Sequence, residues 1–218
     1  MPWMKVGDLY RLRITLMECR PACVREVEAL GSTTLDELHW IVQLVMPWTN
    51  SHLHDFSDWN PLKRPEFGQK MRRWSDPQFE LEGGMFSDEE PDVDETKTRI
   101  DEALREKKDL IYYQYDMGDS WYHEIKVLEI SDTPMDLTLF PRCIGGKGIC
   151  PPDDCGGVWG WEHLQEALAD RKNPEHESMR EWMGLKEGET IDPNAFDLEE
   201  ANRALKQMRP KPRKKRKK

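Results

Sequence analysis

TLDELHWIVQLVMPWTNSHLHDF, residues 34–56, decides the fold. Leu35, Leu38, Ile41, Val42 and Val45 recur at spacings of three and four, which places one apolar stripe along a helix. Thr33 or Thr34 precedes the stripe as an N-cap, and Asp36 and Glu37 fall in the first turn, where the helix dipole favours acids. Pro47 ends the helix. His52-Leu53-His54-Asp55-Phe56 then alternates and predicts a strand. Upstream, LYRLRITL puts Tyr10, Leu12, Ile14 and Leu16 on one face, and VREVEAL follows beyond Pro21, so the two read as a hairpin. Strand, strand, helix, strand points to an α+β fold, a β-grasp-like mixed sheet with one helix laid across it.

The same periodicities carry the reading downstream. Residues 60–94 are rich in proline, glycine and acid, and SDEEPDVD (residues 87–94) reads as a solvated loop within an irregular acidic insertion, residues 57–95. Ile100 and Leu104 predict a helix over residues 96–107. LIYYQY and WYHEIKVLEI, joined by the turn Asp116-Met117-Gly118-Asp119, make a second hairpin. Three helices are expected near residues 160–170, 174–183 and 198–208, the last capped by Asp197 with Glu200 three residues on. Residues 1–208 read as a single domain, with PRCIGGKGICPPDDCGGVWGW (residues 141–161) as a stiff packed loop beside the sheet.

Charge narrows the function. The chain has 218 residues and a formal net charge of -10. Its last ten, RPKPRKKRKK, hold eight basic residues and no acid: Arg209, Lys211, Arg213, Lys214, Lys215, Arg216, Lys217 and Lys218. Such a block is expected to be a disordered tail, able to contact nucleic acid nonspecifically. The remaining body has 24 basic and 42 acidic residues, a formal charge of -18, which opposes binding to a phosphate backbone. No run of 18 apolar residues occurs, so no membrane partner is expected, and the N-terminus lacks a signal-peptide pattern. Five cysteines without such a signal read as reduced thiols in a cytoplasmic protein.

Four blocks together resemble the plasmid pRiA4b ORF-3-like family. They are residues 34–56; YQYDMGDSWYHEI, residues 113–125; the Gly-rich stretch, residues 141–161; and NPEHESMREWMG with DPNAFDLEEANRAL, within residues 173–205. Gly160-Trp161 departs mildly, since the resemblance leads one to expect Gly-Tyr there. The resemblance implies an α+β fold and brings labels of mobile-element passenger and resolvase. The residues do not support a serine recombinase. Its nucleophilic serine belongs near the first strand, and LYRLRITL has none.

Several side chains could carry chemistry. His52 and His54, two apart on a predicted strand, leave one face, and Asp116, Asp119 and His123 flank the second hairpin turn. Together they suit a divalent transition metal such as zinc in a metal-dependent hydrolase. The alternative is ordinary turn aspartates and half-buried histidines. Cys143, Cys150 and Cys155 lack the CxxC pair that usually opens a zinc site. Cys155 with His163 is a nucleophile–base alternative, and Asp153-Asp154 a metal or acid–base pair. The leading expectation is a non-catalytic module that binds a protein, peptide or ligand through its sheet and Gly-rich loop, with no cofactor required.

Overall fold

The computed structural model describes residues 8–64, 69–78, 93–132 and 136–208. The basic tail and residues 65–68 and 79–92 of the acidic insertion lie outside them. The fold is α+β. One mixed sheet of eight strands runs in the order β5-β4-β3-β6-β7-β1-β2-β8. Its strands are β1 (Leu9–Leu16), β2 (Val24–Leu30), β3 (His54–Ser57), β4 (Arg73–Ser75), β5 (Val93–Asp94), β6 (Leu110–Tyr115), β7 (Trp121–Ser131) and β8 (Arg142–Lys147). Every pairing is antiparallel except β4 with β5.

Alternation along β1 explains the two faces of the sheet. Tyr10, Leu12, Ile14 and Leu16 are buried. They meet Leu35, Leu38, Ile41, Val42 and Val45 of α1 (Leu35–Val45) in one core. Arg11 and Arg13 sit at the intervening positions. Arg13 pairs with Glu26 at 2.7 Å, while Arg11 and Arg142 both reach Glu28, at 3.2 and 2.6 Å. The side of the sheet away from the core is thus a ladder of cross-strand charge pairs.

α1 begins as its sequence predicts. The Glu37 carboxylate accepts from the Thr34 N–H at 3.1 Å, satisfying a donor in the capping turn. The other helices are α2 (Ile100–Ala103), α3 (Gly157–Ala169), α4 (His176–Trp182) and α5 (Leu198–Leu205). Asp197 caps α5 by accepting from the Glu200 N–H at 2.9 Å.

Three sequence expectations need correction. The helix over residues 96–107 contracts to the single turn α2, because Leu104 is extended. Its carbonyl accepts from the buried Tyr10 hydroxyl, and the Asp109 carboxylate accepts from the N–H groups of Arg105 and Glu106. The chain bends so that Ile100 and Leu104 both enter the core. Val93–Asp94, assigned above to the solvated loop, forms β5 beside β4. The Gly-rich stretch is not all loop, since Arg142–Lys147 pairs with β2 as the sheet edge. Its tryptophans also part company, with Trp161 fully buried and Trp159 82% exposed, so Trp161 alone anchors the segment.

Candidate functional site

Asp116 follows β6 and lies in the left-handed region, φ 60°. An aspartate tolerates that conformation because its short side chain bonds the local backbone. Its Oδ1 accepts from the Gly118 N–H at 2.8 Å and the Asp119 N–H at 3.3 Å. The other oxygen, Oδ2, lies 3.6 Å from His52 Nε2.

The chain after α1 brings His52 there. Trp48 donates its indole N–H to the Pro151 carbonyl at 2.9 Å. Asp153 Oδ2 accepts from the Thr49 N–H at 2.9 Å and from its hydroxyl at 2.7 Å. These bonds clamp residues 48–52 to the Pro151-Pro152-Asp153-Asp154 turn. Asp154, at φ 59°, then places Oδ1 3.0 Å from His52 Nε2.

Close glycine packing holds this turn against the hairpin. The Gly156 N–H donates to Asp119 Oδ2 at 3.1 Å. A Cβ on Gly157 would lie 2.6 Å from the Asp119 carbonyl oxygen, and one on Gly160 would lie 1.8 Å from that of Cys155. No side chain larger than hydrogen fits either place without moving backbone.

His52, Asp116 and Asp154 each offer one ligand atom, and the three atoms lie within 4.8 Å of one another. His52 Nε2 is buried, and despite its nearness to both carboxylates it makes no aligned hydrogen bond with either. One imidazole and two carboxylates can hold a divalent cation and leave positions for water or ligand. His52 and Asp116 line a pocket of about 540 Å³ together with residues including Asn50, His54 and Asp76.

The five-residue set expected from sequence does not converge. His52 precedes β3, so it and His54 do not share a strand face. His54 turns toward α1 and bonds Glu95. Asp119 holds the Gly156 amide instead. His123 is buried in the core, edge-on to Trp48, with Nδ1 3.3 Å from the Tyr113 carbonyl oxygen. In its place the cluster takes Asp154, which sequence reasoning had assigned to the loop.

The loop alternatives separate as well. All five cysteines are free thiols. The Cys143 thiol donates to the Glu26 and Gly145 carbonyls, both at 3.4 Å, and burial raises its pKa. Cys150 is buried, and desolvation pushes its thiol well up. Burial, then the Asp119 charge, push the Cys155 thiol up to about 12, the opposite of an activated nucleophile. His163 Nε2 is engaged with Glu175 at 2.7 Å.

The profile of the plasmid pRiA4b ORF-3-like protein matches residues 8–200. The chain belongs to the plasmid pRiA4b ORF-3-like family. One similar protein is the uncharacterized protein y4hQ of Sinorhizobium fredii, 30% identical over 197 residues, covering 90% of this chain and 91% of that protein. The crystal structure of a protein of unknown function, MM3350 from Methanosarcina mazei Go1, superposes with a TM-score of 0.71 at 28% identity. It covers 89% of this chain and 97% of that one. The family is one of unknown function. Among the described residues no helix is long and apolar enough to cross a membrane.

Sequence reasoning passed over His39, Gln43, Asn50 and Glu95, which build a buried polar network beside the pocket. A signal was present. His39 and Gln43 stand four apart on α1, next to its apolar stripe, and both are buried.

The buried histidines predict an acid dependence. Burial, then the neighbouring His54, lower the His39 pKa to about 3, and burial lowers that of His123 to about 4. Both folded values lie below the ordinary histidine value, so the unfolded chain binds more protons as pH falls. Their stabilising effect is complete above about pH 6.5 and is lost as pH drops toward 4 and then 3. Each contributes a slope approaching about 1.4 kcal/mol per pH unit within that window. Urea midpoints are expected to fall from pH 7 to pH 5, and a flat profile would contradict neutral burial of both rings.

Proposed function

We propose that the protein is a ligand-binding module whose pocket is organised by a divalent transition-metal cation held by His52, Asp116 and Asp154. The observation that carries this is the approach of three ligand atoms to within 4.8 Å of one another, two of them from His52 and Asp116 in the lining of a 540 Å³ pocket. Mixed nitrogen and carboxylate donors suit manganese or zinc better than calcium. A cation would answer the two carboxylates and accept the buried lone pair of His52. The negative body charge favours a cation at this site and disfavours phosphate-rich partners. Five free cysteines suit a reducing compartment, the cytosol.

Metal-dependent hydrolysis is the second reading, favoured by His54 on the same pocket wall. A cation with open positions polarises a bound carbonyl and acidifies bound water.

Calorimetric titration of metal-stripped protein with manganese and zinc tests the binding reading. One cation per chain is expected, with a melting temperature that rises with cation concentration and falls on chelation. Failure of both ions to bind, or a melting temperature indifferent to them, refutes it.

A further inference from the structure

Three sulfur-bearing side chains, Cys23, Met46 and Cys150, come together in the core between the end of α1 and the β2–β8 edge. Cys23 stands just before β2, and Cys150 follows shortly after β8, whose Lys147 pairs with Val24. The two segments approach closely there. A Cβ on Gly148 would lie 2.4 Å from the Ala22 carbonyl oxygen and 3.1 Å from Cys23 Cα, so only glycine lets the chain down onto residue 23. Arg25 secures the approach by donating to the Lys147 and Gly148 carbonyls. Cys150 is thereby brought into hydrogen-bonding contact with Cys23. Met46 arrives from a third direction, directly after α1, and the Cys23 thiol donates to its sulfur at 3.7 Å. Cys23 and Met46 are fully buried, and Cys150 is nearly so.

Charge decides what such a group can hold. The buried Arg25 guanidinium hydrogen-bonds backbone carbonyls and the Cys23 sulfur. A buried cation is stabilised by an anion beside it. The Cys150 hydrogen bond, with the Arg25 charge, outweighs burial and holds the Cys23 thiol below its ordinary pKa, so Cys23 is the member of the pair that deprotonates first. Two thiolates beside one guanidinium leave a single negative charge, which a monovalent cation cancels. A divalent cation would leave a surplus positive charge in a dry core, at high cost. Thiolate and thioether donors are soft and select copper(I). Sulfurs in a trigonal site with metal–sulfur lengths of roughly 2.3 Å stand roughly 4 Å apart. The Cys23–Met46 separation of 3.7 Å is close to that. Access comes from the Cys150 side, because Cys150 and Arg25 line a cavity of about 260 Å³ with Val45, Pro47 and Phe196.

We propose that Cys23, Cys150 and Met46 form a copper(I) site whose charge is balanced by Arg25. The site is separate from the His52–Asp116–Asp154 cluster, whose nitrogen and oxygen donors suit harder ions. Binding sends the thiol protons to solvent and leaves copper and sulfur in their oxidation states. Two other cysteines keep their own acceptors. The Cys19 thiol donates to the Pro21 carbonyl at 3.5 Å, and burial pushes its pKa up to about 12. Cys143 is held by the Glu26 and Gly145 carbonyls. A bound ion would tie the end of α1 to both edge strands, the same three segments that Arg25 joins.

Anaerobic titration of the full chain into the coloured bicinchoninate complex of copper(I), with ascorbate present, tests the site. The wild type is expected to draw one copper(I) per chain from the dye. Cys150→Ser, at the cavity wall, should weaken that binding by at least roughly 100-fold, more than the loss usual for a group one shell further out. Met46→Leu conserves volume and should weaken it roughly tenfold. Cys143→Ser should leave it unchanged. X-ray absorption of the copper-loaded wild type should show sulfur as the only ligand type. Absence of transfer from the dye, nitrogen or oxygen ligands on the copper, or equal losses in the Cys150→Ser and Cys143→Ser variants overturns the proposal. If Cys150→Ser does not fold, the absorption spectrum and Met46→Leu decide it. Copper(I) uptake by a protein that takes up neither manganese nor zinc supports this site and refutes only the cation reading of the pocket.

Discussion

Arg25→Met is expected to destabilise the protein by about 2–6 kcal/mol, the scale of leaving two buried carbonyls without their donor. Arg25 is 2% exposed. Among the described residues no carboxylate pairs with it. Its Nε donates to the Val45 carbonyl at 2.9 Å, the last residue of α1. Its Nη1 donates to the carbonyls of Val24, Lys147 and Gly148 at 2.9, 3.0 and 2.9 Å. The guanidinium also lies 4.3 Å from the centroid of the Phe196 ring. One side chain thus joins the C-terminus of α1, the β2–β8 edge and the segment leading to α5. Its charge complements the negative end of the α1 dipole. Methionine fills similar volume but leaves buried carbonyls of Val45 and Gly148 without a donor, at about 1–3 kcal/mol each. Lysine restores the charge without the planar fork, so Arg25→Lys should recover only part of the loss. Urea denaturation measures both, and a loss below about 1 kcal/mol for methionine would show that water or relaxation satisfies those carbonyls.

Asp116→Asn is expected to weaken manganese or zinc binding by at least roughly 100-fold, more than the loss usual for a residue one shell further out. The change removes one negative charge and one anionic oxygen from the cluster. The fold should survive it. Asparagine tolerates the left-handed backbone at φ 60°, and its amide oxygen can accept the same Gly118 and Asp119 N–H groups. Calorimetry with either ion, paired with a melting curve in chelator, separates the two effects. Unchanged affinity would remove Asp116 from the cation site, while a large loss of stability in chelator would mean that the carboxylate serves the turn.

The hairpins and α1 were legible because their information is local. Alternation fixes which face of β1 is buried, the three-and-four spacing fixes the stripe of α1, and Asp197 announces α5 three residues before its partner N–H. The missed strands are those whose pairing comes from elsewhere. Arg142–Lys147 holds two glycines and no clean alternation, and it is a strand because β2 offers it an edge. Val93–Asp94 is too short to carry any pattern and is defined by β4. The helix expected over residues 96–107 failed because Tyr10 and Asp109 capture the groups a longer helix would need.

The site follows the same division. Sequence marked His52, His54, Asp116 and Asp154 as residues able to carry chemistry, because imidazole and carboxylate are the groups that ligate cations and move protons. It grouped His52 with His54 and His123 by assuming one strand and one turn. In the folded chain a shift of two residues in where β3 begins sends His52 outward to Asp116 and Asp154 and His54 inward to Glu95 and His39. By itself, then, the sequence determined the elements with a period, the family resemblance, the acidic body and the chemical types present. Only the tertiary structure decided which of those side chains meet. Their convergence depends on loops clamped across the fold by Trp48, Asp153 and the Gly156–Gly160 contacts, and no local pattern records contacts between distant segments.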